Sequence, residues 1–154
     1  MSILGKKLGD AFWEKLIPTI EIEQGGIYKV DDDPKNPVIK FLSDNLPNEH
    51  PKKKREFHNF RLALVIQSNK INDDNNMPST LVVPLSHKGR NTDFTVEIRT
   101  KYLDDSVPGD TVAHVHLTQP ILKILLRKKV GYLPETAEEF TTIRAVYYRL
   151  LRLI

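Results

Sequence analysis

The stretch "EFHNFRLALVIQS", residues 56–68, holds a carboxylate, a histidine and an arginine at the mouth of an apolar run. A guanidinium is always charged, and burying it unpaired costs several kcal/mol, so Arg61 must be paired or aimed at an anion. Glu56, five residues earlier, is the nearest candidate partner, and an ordinary Glu56–Arg61 surface pair is the plain reading. The histidines widen the choice of chemistry. His58 precedes Arg61 by three residues, His87 follows the hydroxyl of Ser86, and His116 lies on a candidate strand; imidazole is the natural proton carrier near neutral pH. His114-x-His116 could also offer two metal ligands from one strand face, although no third ligand with sensible spacing accompanies them.

These residues sit beside a concentration of positive charge. "PKKKREF" places Lys52, Lys53, Lys54 and Arg55 in a row, while "VDDDP" gathers acids at 31–33, although net charge is only +3. A basic cluster near a site is the footprint of a phosphate-rich partner, and otherwise a solvated loop. Phe57 and Phe60 alongside it could stack on bases or cap a core. Several activities are excluded or unsupported. There is no phosphate-cradling glycine loop and no GxSxG elbow, and with no cysteine the thiolate metal sites and Cys-dependent catalysis fall away.

Elements must position these groups. The 154 residues, 40% hydrophobic and 28% charged, suit one domain, and no apolar stretch approaches the roughly 20 residues needed to cross a bilayer. Absent cysteine suits a reducing cytoplasm, and the charged N-terminal segment reads as mature protein, not as a secretory leader. Leu4, Leu8, Phe12 and Leu16 predict an amphipathic N-terminal helix ending near Pro18. "GGIYKV" predicts a strand, and residues 31–59 a long functional or disordered loop containing one possible strand, "VIKFL" at 38–42. Residues 62–67, 80–86, 94–100 and 109–117 predict four further short strands, the first two buried on both faces and "FTVEI" with one wet face. A helix is expected from Thr118 and Pro120 through "ILKILLRKK" to Gly131. A better signalled one follows, with Thr136 and Glu139 as a capping box and Phe140, Ile143, Tyr147, Leu150 and Ile154 on one face; Arg144, Arg149 and Arg152 are solubilising charges. Short strands with turn signals predict a mainly β, α+β small barrel or sandwich.

The order "GGIYKV", long loop, "ExxxxRxALVIQSN", "STLVVPLS", a strand and a "TQP" segment ending in "KKVGYL" resembles the MazF/PemK family of bacterial toxins, over about residues 25–154. This chain carries Leu62 where that family has proline, Ser86 for threonine, Asn59-Phe60 for glycine, and a longer loop before Glu56. The helical extension over 1–24 that precedes the barrel is a further departure from the family pattern. The resemblance implies an SH3-like barrel of the MazF/PemK/CcdB type over 25–154, with a C-terminal helix. It further implies a cytoplasmic homodimer that cleaves single-stranded RNA at preferred sequences without metal or other cofactor, leaving 2′,3′-cyclic phosphate and 5′-OH ends, and that is neutralised by a cognate antitoxin. Carried over by position, Arg61, Ser86 and Glu56 are the catalytic set. His58, Lys52, Lys53, Lys54, Arg55, Phe60, His87, His116 and Thr118 are then RNA contacts. A non-catalytic alternative on the same fold, a CcdB-like protein or a plain RNA-binding one, keeps the barrel and loses the chemistry.

Overall fold

The computed structural model describes residues 14–51, 53, 55, 57–87 and 92–152. Most of the expected N-terminal helix lies outside them. Seven strands are described: β1 Gly26–Asp31, β2 Phe60–Val65, β3 Ser79–His87, β4 Thr95–Glu97, β5 Thr111–His114, β6 Gln119–Leu122 and β7 Lys129–Tyr132. Two helices join them, a single turn α1 at Asn69–Asn72 and the long α2 at Glu138–Arg152.

The sheet runs β4-β5-β3-β2-β1-β7, with β6 pairing the first half of β3, and each pairing is antiparallel. The ends of this path meet. Leu103, shortly after β4, bridges Gly131 of β7, and Asp104 donates its N–H to the Val130 carbonyl, so the sheet curls almost into a barrel.

Why both faces are needed follows from alternation along β1 and β2. Ile27 and Leu64 enter a cluster inside the curl with Val83, Leu85 and Phe140, Ile143 and Val146 of α2, whereas Tyr28, Val30, Ala63 and Val65 enter a second cluster with Ile39, Ile121 and Leu126. The continuous apolar runs of β2 and β3 thus reflect burial on both sides, as their sequences predict. Thr95-Val96-Glu97 keeps one wet face, also as predicted. On α2, the apolar face includes the expected Phe140 and Ile143, with Tyr147 and Leu150 partly packed. Glu139, expected to close a capping box at Thr136, instead gives its carboxylate to Arg99: Nε at 3.1 Å, Nη2 at 2.7 Å and the backbone N–H at 3.2 Å.

Three expectations are corrected. The helix expected from Thr118 to Gly131 is two strands, β6 and β7, separated by a 3-10 turn at Lys123–Leu125. The edges of β3 and β1 compete for this segment. Ladder pairing of Ser79–Val82 with Gln119–Leu122, and of Gly26–Tyr28 with Lys129–Tyr132, satisfies backbone groups that a helix would leave unpaired, and Pro120 is tolerated because β6 is an edge strand. Thr118 caps nothing; its hydroxyl donates to the Val115 carbonyl at 2.6 Å. Lys123, in the turn between β6 and β7, is 1% exposed and donates its amine to the carbonyls of Ile71 and Asp74, tying down the end of α1; burial pulls its pKa below the ordinary lysine value. Second, residues 38–42 form no strand. Ile39 anchors the second cluster while Leu42–Asn45 makes a 3-10 turn. Third, the fifth strand stops at His114, and Val115–Leu117 is a 3-10 turn, so His114 and His116 do not share a strand face.

The turn into β1 carries a testable constraint. Gly25 has φ of 88°, and a Cβ there would stand 2.2 Å from the Leu133 carbonyl oxygen, so Gly25→Ala meets both a left-handed backbone and a collision. It is expected to lower unfolding free energy in urea by more than about 1–2 kcal/mol, the cost of the backbone conformation alone.

Candidate active site

The sheet register builds the site. Leu62 pairs with Leu85, which sets Arg61 opposite Ser86 at the ends of β2 and β3, and Leu85 pairs with Ala113, which puts His114 diagonally beside Ser86 on the same face. There the Ser86 Oγ and His114 Nε2 are hydrogen-bonded at 2.5 Å. Burial, then the charges of His116 and Arg61, lower the pKa of His114 below the ordinary imidazole value, so near pH 7 the ring is neutral, and the tautomer with a bare Nε2 can accept from the serine hydroxyl. An imidazole held neutral against a hydroxyl, with a guanidinium close enough to press on it, is an arrangement suited to proton transfer beside an anion.

Arg61 is held from the other side by Asp32. The residue follows β1, its side chain is fully buried, and its Oδ2 accepts from Arg61 Nε at 3.2 Å. The same carboxylate takes Arg55 in a two-pronged pair, Nη1 to Oδ2 at 3.0 Å and Nη2 to Oδ1 at 2.7 Å, and the His58 backbone N–H at 3.2 Å. Arg55 Nε is in turn held by Asp44 at 2.9 and 3.2 Å. Burial works to raise the Asp32 carboxyl, but the hydrogen bonds from Arg55 and His58 and the charges of both arginines outweigh it and hold its pKa below the usual range. Phe41 closes the group: its ring lies 5.3 Å from the Arg61 guanidinium and 5.1 Å from that of Arg55, and meets the His114 ring edge-on at 6.1 Å.

The long loop is therefore bound to the site it borders. Gln119 of the "TQP" segment clamps Lys40 by its backbone, accepting the N–H at 2.9 Å and donating to the carbonyl at 3.0 Å, which fixes the neighbouring Phe41.

The residues singled out from sequence are distributed unevenly. Arg61 and Ser86 stand opposite each other at the ends of β2 and β3. Glu56, Lys52 and Lys54 lie outside the described residues, and among the described residues Asp32 is a carboxylate paired with Arg61. Arg55 is a strut between two aspartates, with its side chain 10% exposed and its guanidinium stacked 3.8 Å from the Phe57 ring. Lys53 hydrogen-bonds Asn48 at 2.8 Å. His58 is exposed beside its Asp32 contact, His87 is exposed at the end of β3, and His116 is exposed with its ring 6.1 Å from His114 and 6.0 Å from Phe94. Phe60, next to Arg61 on a strand, points to the opposite face, where Lys29 Nζ sits 4.0 Å from its ring. Sequence reasoning missed Asp32, Phe41 and Gln119, and gave His114 only as a metal ligand.

Fold and site together define a small curled-sheet protein with an anion-directed arginine and a Ser–His pair at one end of adjacent strands. The fold is similar to that of MazE–MazF from Deinococcus radiodurans (TM-score 0.58, 14% identity, covering 88% of this chain and 99% of that one). It is also similar to two structures from mycobacterial species, an endoribonuclease in complex with its cognate antitoxin (TM-score 0.54, 15% identity, 86% and 97% covered) and an endoribonuclease alone (0.53, 14%, 87% and 94%). No relative was found among curated protein sequences. The model of the PemK-like, MazF-like toxins of type II toxin-antitoxin systems matches residues 45–145, well over half of the chain, and the chain belongs to that family.

Proposed function

We propose that this protein is an endoribonuclease that cleaves single-stranded RNA by attack of the 2′-OH on the adjacent phosphate, and that the juxtaposition of Arg61, Ser86 and His114 carries the activity. RNA brings its own nucleophile, so the protein needs a base, an acid and donors for the charge that builds on phosphorus. Neutral His114 accepts the 2′-OH proton, directly or through Ser86, whose hydroxyl it orients. Arg61, its plane fixed at Nε by Asp32, donates to the non-bridging oxygens; once His114 carries the proton and donates to the Ser86 oxygen, the serine O–H is released as a second donor to the phosphate. His116, exposed beside His114, returns a proton to the departing 5′-oxygen. Glu56 completes the catalytic set by position in the family motif. His58, His87, Thr118 and the lysines of 52–54 contact the RNA, whereas Arg55 serves by holding the loop and Asp32. The working unit in this reading is a homodimer restrained by an antitoxin, which family membership supports.

The test is incubation of purified protein with mixed-sequence single-stranded RNA, with and without EDTA, followed by end analysis. Cleavage in EDTA with 2′,3′-cyclic phosphate and 5′-OH ends is expected; 5′-phosphate ends or intact RNA would overturn the proposal. The role of His114 has its own signature. Its pKa lies below about 6.5, so activity is expected to hold near pH 7 and fall on the acid side of that value as the ring protonates. His114→Ala should lower the plateau and abolish that acid limb, and a variant that keeps the same limb would remove His114 as base.

A further inference from the structure

The long loop encloses a cavity of about 250 Å³ whose walls include Lys35, Lys40, Lys53, Ser43, Asn48 and Phe57. Its acid and its arginine are already committed to each other: Asp44 holds Arg55, and Arg55 is locked to Asp32. Among the described residues, none of the three lysines is ion-paired, so their ammonium groups leave the cavity with uncompensated positive charge. The walls are also fixed in advance. Gln119 clamps Lys40 on one side, and Asp32 secures Arg55 and, through the stacked guanidinium, Phe57 on the other.

Its neighbour is the catalytic arginine. Arg55, which lines the cavity, and Arg61 donate to the same Asp32 oxygen, at 3.0 and 3.2 Å, and the Phe41 ring lies near both guanidinium groups, so the cavity and Arg61 stand on adjoining parts of one surface. The volume falls below the roughly 300 Å³ at which free small-molecule sites usually begin, which fits one charged unit of a longer polymer better than a whole metabolite.

We infer that the cavity within residues 34–57 is a substrate subsite that grips a phosphodiester of the RNA flanking the scissile one. This rests on the endoribonuclease reading above. Lys35 and Lys40 supply the charge, with Lys53, Ser43 and Asn48 as donors around them.

The experiment compares wild type with the double variant Lys35→Ala/Lys40→Ala. It measures kcat and KM on single-stranded RNA, and binding of an RNA with a 2′-deoxy cleavage site over a range of salt. The variant is expected to raise KM with kcat retained, and to reduce the slope of log K against log salt by about 0.7, the amount for one single-strand phosphate contact. Unchanged KM and slope in a variant of normal melting temperature would overturn the subsite while leaving the nuclease reading intact. Wild-type protein that neither cuts nor binds RNA would remove the nuclease reading and this inference with it. A variant that keeps its RNA affinity but loses affinity for a polyglutamate peptide would also overturn it, in favour of an acidic protein segment.

Discussion

Arg61→Ala protein is expected to fold and to cleave single-stranded RNA at least about 10²–10³-fold more slowly than wild type, the usual cost of losing one preorganised donor to a transition-state oxyanion. Folding should survive because the substitution leaves Asp32 in its two-pronged pair with Arg55 and in its bond to the His58 N–H, so this buried carboxylate is not orphaned. Arg61→Lys should recover little: a lysine keeps the charge but not the fork that meets Asp32 with one edge while presenting a planar face to a phosphate. Circular dichroism and a denaturation curve establish the fold, and single-turnover cleavage gives the rate. A folded Arg61→Ala enzyme that cuts at the wild-type rate would sink the assignment.

The second large effect belongs to Asp32. Asp32→Ala removes the two-pronged partner of Arg55, whose side chain is itself 10% exposed, and leaves it Asp44; breaking a buried pair outright costs about 3–5 kcal/mol, which sets the upper end of the loss. Urea denaturation at pH 7 should show that loss. Activity should fall as well, because Arg61 loses the group that fixes its plane; Asp32→Asn, which keeps the shape and part of the hydrogen bonding, should be less destabilised while still impaired in kcat. The pH dependence has a definite sign. Since the folded carboxyl titrates below its unfolded value of about 3.9, its stabilisation is complete above that value and is lost as pH falls through the folded pKa. Wild type should therefore lose stability in that acid window by an increment that Asp32→Ala lacks. Equal stability of the two at pH 7 would show that the carboxylate does not hold the loop.

What could be read from sequence follows the reach of the interactions involved. Val82-Val83, Ala63-Leu64-Val65 and the face of Phe140 and Ile143 announce themselves through local periodicity, and Arg61 and Ser86 lie within motifs on single strands. The stretch 119–132 misleads because "ILKILL" supports either period, and what decides it is the unpaired edges of β3 and β1, many residues away. Asp32 is invisible for a similar reason. It sits in an acidic run that looks solvated, and only the fold brings Arg55 and Arg61, 23 and 29 residues later, onto it. His114 is legible as a histidine on a strand, but its neutral state depends on burial and on cations supplied by other elements. Gln119 and Lys40 are 79 residues apart, a pairing no local pattern encodes.

Asp32, Asp44, Arg55 and Arg61 bring two carboxylates to two guanidinium groups, so these four carry no net charge. Such a cluster exerts little pull on a polyanion more than a Debye length away, about 8–10 Å at ordinary salt. On the proposed mechanism, attraction at a distance then falls to loop lysines such as Lys35, Lys40 and Lys53, and Arg61 acts only after contact. Encounter and chemistry are thereby separable rates: ionic strength should govern how often RNA arrives, while the turnover of RNA already seated should be nearly indifferent to it.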